Sequence, residues 1–90
     1  MDVDDIVAKR EAVKCARQIL EGSLSPYEGA RRIWMDVDPQ FTDRGLARKL
    51  SGFIGEATEW EDNPEARDEI EEAIRQKAAD LVTEWGEDLG

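Results

Sequence analysis

Apolar residues recur at spacings of three and four along most of the chain. Strict alternation of apolar and polar positions is missing, as are Asn-Gly and Asp-Gly turns. This pattern predicts helices and no strands. A first helix is expected from about Asp4 to Glu21, with Ile6, Val13, Ala16 and Leu20 facing inward, Ile19 flanking them, and Gly22 as the stop. Its start carries Asp2, Asp4 and Asp5, where the helix dipole favours negative charge. Lys9, Arg10, Lys14 and Arg17 make its body locally basic.

The second helix has the clearest start. In "SPYE", Ser25 is the expected N-cap, Pro26 takes the first helical position and Glu28 completes a capping box. Ala30, Ile33 and Trp34 point inward, and the helix is expected to end near Asp36. Pro39 then pushes Asp38 out of the helical region, so that Asp38 or Thr42 caps a third helix. Leu46, Leu50, Phe53, Ile54, Ala57 and Trp60 form the strongest periodic stripe of the chain. Gly45, Gly52 and Gly55 weaken that helix by roughly 1 kcal/mol each relative to alanine, and a bend or break near Gly52 is expected. Asn63-Pro64 opens a fourth helix with Ile70, Ile74, Ala78, Leu81 and Trp85 inward, and Gly86 is its expected end. The implied fold is all-α, an antiparallel four-helix bundle or a close variant.

Ninety residues fit one helical domain over residues 1–90. Apolar residues are 40% and charged residues 38%, which is polar, but the patterning above argues against disorder. The single cysteine, Cys15, leaves no internal disulfide, and the opening "MDVDD" is unlike a basic-then-apolar export signal. Both features fit a cytoplasmic protein. No apolar run reaches membrane-spanning length.

Charge changes the picture more. Residues 1–50 hold nine acids and nine bases, whereas residues 51–90 hold thirteen acids and only Arg67, Arg75 and Lys77. The net charge of −10 therefore belongs to the second part of the chain. Such a field repels phosphates and anionic membranes and attracts basic partners. Its densest stretch is "EWEDNPEARDEIEEA". On a helical wheel Glu65, Asp68, Glu69 and Glu72 lie opposite the core stripe, so a solvated face accounts for their position but not for their common sign. Glu65–Glu69 and Asp68–Glu72 are like-charge pairs four apart, each costing roughly 0.2–0.5 kcal/mol. Glu56, Glu59, Glu61 and Asp62 extend the field, and Glu71 faces Arg75 at helical spacing. Trp60, ringed by these acids, would suit an aromatic anchor within a charged contact, whereas Trp34 and Trp85 read as core. The candidate partner-binding residues are thus Glu59, Trp60, Glu61, Asp62, Glu65, Asp68, Glu69 and Glu72.

Catalytic chemistry finds little footing. The chain has no histidine, which removes His-based triads, His general bases and most zinc sites. Asp36-x-Asp38 resembles the opening of a calcium loop, but Phe41 stands where the loop needs glycine and Ala47 where it needs glutamate. No Glu-x-x-His pair serves a di-iron bundle, and no glycine-rich phosphate loop follows a strand. Cys15, despite neighbouring Lys14 and Arg17, reads as a structural, partly buried thiol. No catalytic, metal or cofactor residue is assigned, and the expectation is a protein without enzymatic activity.

The order of features, "ARQILEGSLSPYEGARRI" followed by "LSGFIGEATEWEDNPEARDEIEEAI", resembles the small all-helical immunity proteins of bacteriocins and contact-dependent toxins, the colicin D immunity type in particular. It also resembles short bacterial proteins carrying a similar "EWEDNPE" segment. The resemblance implies an acidic protein that blocks a basic nuclease toxin by occupying its RNA-binding cleft, with the acids standing in for phosphates. Two other readings fit the same charges. One is a DNA-mimicking inhibitor of the anti-restriction or anti-CRISPR kind. The other is a helical oligomerisation or accessory subunit in which the glycines of the third helix admit another helix; on any of these readings the chain is expected to be a monomer or homodimer.

Overall fold

The computed structural model describes residues 3–89, with side chains described over residues 3–86. The fold is all-α, and no strand occurs among the described residues. Helix α1 spans Val3–Glu21, α2 Pro26–Arg32, α3 Arg44–Ala47, α4 Ser51–Asp62 and α5 Arg67–Leu89. Helix α1 packs along α5 most extensively, α4 packs on α5, and α2 bridges α4, α5 and α1.

Each junction has a local cause. Gly22 closes α1 at φ 85°, the only positive φ among the described residues, and Ser23 N–H donates to the Gln18 carbonyl at 3.0 Å across the turn. The Ser25 hydroxyl caps α2 by accepting from Glu28 N–H at 3.2 Å, with Pro26 at the first position as expected. Helix α2 then differs from the expected run to Asp36. It widens into a π-helical turn over Ile33–Val37 and tightens into a 3-10 turn over Asp38–Gln40. The wide turn keeps Ile33 and Val37 buried while leaving Met35 52% exposed.

The cap of the third helix is neither Asp38 nor Thr42. Asp43 caps α3, accepting from Gly45 N–H at 2.8 Å and Leu46 N–H at 3.4 Å. Thr42 is taken by Asp5 of α1: its N–H and hydroxyl donate to the two carboxylate oxygens at 2.7 and 2.9 Å. Asp38 instead accepts from Arg44 at 2.8 Å. The expected break near Gly52 falls just upstream, as a 3-10 turn over Arg48–Leu50 between α3 and α4. Asn63 makes no side-chain cap. Pro64 opens a 3-10 turn, Pro64–Ala66, and α5 follows at Arg67. Gly86 does not end α5, which continues to Leu89.

Most of the core stripes of the third and fourth helices lies inside: Leu50, Phe53, Ala57, Ile74 and Ala78 are at most 1% exposed, Leu81 and Trp85 at most 4% and Ile70 8%, whereas Leu46, Ile54 and Trp60 are only partly buried. Helix α1 departs in part from expectation. Val13 and Ala16 are buried as expected, but the rest of its inward row is Ala8, Ala12, Cys15 and Ile19, while Ile6 is only partly buried and Leu20 is 46% exposed. Gly29 accommodates Ile19: a Cβ there would fall inside the Ile19 side chain, so α2 sits directly on it. Cys15 is buried, and burial raises its thiol pKa despite the nearby Arg32 and Lys14 charges.

Candidate functional site: an acidic corner held by an aromatic clamp

The corner between α4 and α5 gathers the acidic stretch. Glu59, Glu61, Asp62, Glu65, Asp68, Glu69 and Glu72 are all exposed. Because α5 begins at Arg67, Asp68 and Glu69 occupy its first turn, where the dipole favours them, while Glu65 belongs to the preceding 3-10 turn.

Their partners divide them. Glu61 accepts from the Tyr27 hydroxyl at 2.7 Å. Glu72 pairs with Arg75 at 3.2 Å, closer than the expected Glu71–Arg75 contact of 4.0 Å. Glu59, Asp62, Glu65, Asp68 and Glu69 form no side-chain hydrogen bond or ion pair with any described residue.

Trp60 stands differently from the anchor the sequence suggested. It is half-buried, and its indole stacks on Tyr27 of α2 with ring centroids 4.0 Å apart and planes 14° from parallel. The Arg67 guanidinium lies 3.8 Å from the Trp60 ring centroid. At those distances both groups cannot share one face, so the indole is held between them. The Trp60 N–H donates to Glu71 at 3.0 Å, and Arg67 Nε donates to the Trp60 carbonyl at 3.1 Å. In the free protein Trp60 therefore joins α2, α4 and α5.

This clamp has an electrostatic consequence. Arg67 is the only base within the acidic stretch, and it is turned onto the indole rather than onto a carboxylate. The corner keeps its negative charge while its backbone is pinned from three helices. The hydrogen bond to Glu61, with burial and the Glu61 charge added, raises the Tyr27 phenol pKa. The clamp was not legible in the sequence: Tyr27 lies 33 positions before Trp60 and appeared there only as part of a capping segment. The lone Arg67 amid acids was the available signal.

A groove of about 640 Å³ lies between the clamp and α2, its lining including Tyr27, Trp60, Glu71, Arg31, Arg32 and Met35. Among the described residues no group of three or more His, Cys, Asp or Glu side chains converges to hold a metal, and no helix is long and apolar enough to cross a membrane. Compared with known protein families, curated proteins and solved structures, the chain matches none.

Proposed function

We propose that this chain is an acidic intracellular binding protein that neutralises a basic protein partner through the α4–α5 corner, most concretely as a cytoplasmic immunity protein against a nuclease toxin. In this reading the helices form a close variant of an antiparallel four-helix bundle that serves as a rigid mount. One observation carries the proposal. Five carboxylates at the corner form no ion pair with a described residue, and the one base among them, Arg67, is committed to Trp60. Like charges held together in a free protein cost stability, and a basic partner would recover that cost. Glu59, Asp62, Glu65, Asp68 and Glu69 supply steering charge. Glu61 and Glu72 supply carboxylates already oriented by Tyr27 and Arg75. Trp60 supports the corner and presents only what the clamp leaves uncovered.

The DNA-mimic reading uses the same surface and differs in partner: a restriction or CRISPR nuclease in place of a toxin. For the accessory-subunit reading, the glycines divide. Gly52 already receives Lys77 of α5, whose Cδ and Cε would stand 3.0 Å from an added Cβ, while Gly55 has nothing within 4 Å. Immobilised wild-type chain and its E65Q/D68Q/E69Q/E72Q variant, used side by side as bait, test the proposal. A basic nuclease retained by the wild type and lost from the variant supports it. Equal retention by both, or capture only of acidic or neutral proteins, overturns it.

A further inference from the structure

The opposite charge has its own place. Arg10, Lys14 and Arg17 are exposed on one stripe of α1 and line a groove of about 470 Å³ together with Val13, Gln18 and Glu21 of α1 and Gly86 of α5, three cations to one acid. Arg17 reaches to 3.4 Å from where a Cβ on Gly86 would lie. None of the three cations forms an ion pair with a described residue, although the chain has 22 acids for 12 bases. Arg10 and Lys14, four apart, repel each other as the corner acids do.

Groove and acidic corner cannot meet within one molecule. Helix α5 runs unbroken from Arg67 to Leu89, and its rise of 1.5 Å per residue puts about 25 Å between Glu69 and Gly86. Such a rod occupies most of the 41 Å long axis. The corner is convex, with Asp62, Asn63, Pro64 and Glu65 all exposed, whereas the α1–α5 surface is a groove in which Arg10, Lys14 and Arg17 outnumber the one acid, Glu21, at its end toward the α1–α2 turn.

We propose that the acidic corner of one copy docks into the basic α1–α5 groove of a second copy. Arg10, Lys14 and Arg17 then face Glu65, Asp68 and Glu69, none of the six forming an ion pair with a described residue of its own chain. Two copies related by a two-fold axis make the contact twice, because each presents the same corner and the same groove. Net negative charge on both copies opposes approach at low salt. A Debye length of about 8 Å at physiological ionic strength screens that long-range repulsion while leaving adjacent pairs, and about 3 Å at 1 M salt weakens the pairs as well. Association should therefore be strongest at intermediate salt. The inference does not depend on the identity of the basic partner, whose capture is a separate measurement.

Sedimentation equilibrium tests it with two charge-reversed chains, R10E/K14E/R17E at the groove and E65K/D68K/E69K at the corner. Wild type should self-associate below about 1 mM at intermediate salt, and each reversed chain should associate about tenfold or more weakly. An equal mixture of the two reversed chains should restore association. Both remain net negative, so recovery would report the local contact and not opposite overall charge. Circular dichroism checks that each is folded. Should a reversal reduce helix content, R10Q/K14Q/R17Q removes the cations without adding like charge and should also weaken association. A monomeric wild type at all salts, folded variants that associate like wild type, or a mixture that stays monomeric would overturn the proposal.

Discussion

Replacing Trp60 by alanine tests whether the indole belongs to the fold or is free for a partner. The structure gives it three contacts beyond area burial. An aromatic stack contributes about 0.5–1.5 kcal/mol, a cation over a half-buried ring about 0.5–1 kcal/mol, and the indole hydrogen bond to Glu71 about 0.5–1.5 kcal/mol. A fully buried tryptophan costs about 3–5 kcal/mol on truncation to alanine. Trp60 is only half-buried, so the expected loss for Trp60→Ala is about 2–4 kcal/mol. Trp60→Phe keeps a ring for the stack and removes the N–H, and should lose about 0.5–1.5 kcal/mol. For a domain of this size each kcal/mol moves Tm by about 4–8 °C, so thermal and urea unfolding both resolve the difference. An unfolding free energy for Trp60→Ala within about 0.5 kcal/mol of wild type would refute the clamp.

Further outcomes follow from the core, the caps and the buried carboxylate. Leu50→Ala and Ile74→Ala, both at positions with 0% exposure, should each cost about 2–5 kcal/mol in urea unfolding, and unchanged midpoints would show that the stripes are not buried. Ser25→Ala should lose about 0.5–2 kcal/mol, and Asp43→Ala a similar amount, whereas Thr42→Ala should leave the α3 cap intact and act through α1. Burial pushes the Asp5 carboxyl pKa up, but the bonds from Thr42 and Asp43 outweigh it and hold the pKa below the ordinary value. The stability this gives is fully present above the unfolded pKa, about 3.9, and is lost as pH falls through the lowered folded value. Acid titration of Asp5→Asn should show a shallower fall in that window, and an unchanged slope would contradict the assignment.

The parts of the fold that could be read in advance were those set within one turn of helix. Leu50, Phe53, Ile74 and Leu81 declare their burial by spacing, and Ser25-Pro26 declares a start by local chemistry. The parts that were missed depend on distant residues. Thr42 looked like a cap until Asp5, 37 positions earlier, claimed both of its donors. Leu20 and Ile19 are equally apolar, and Ile19 faces inward in phase with Ala8, Ala12 and Ala16, where the missing Cβ of Gly29 leaves room for it. The π-helical turn at Ile33–Val37 has no sequence signature of its own beyond the proline that follows. At the candidate site the acids were legible because exposure follows from helix phase. The turning of Arg67 onto Trp60, which leaves those acids unneutralised, depends on Tyr27 and on the angle between three helices.

The central claim is that the corner carboxylates serve binding rather than solvation. Association rates with the basic protein captured by the chain, measured by surface plasmon resonance at low and physiological salt, test this most directly. The E65Q/D68Q/E69Q/E72Q variant should fold as well as wild type or slightly better, through relief of like-charge repulsion. It should associate more slowly at low salt and lose most of the salt dependence, since steering charge acts on the on-rate. Equal on-rates for wild type and variant at low salt would mean that the acids are a solvated face, and would contradict the account.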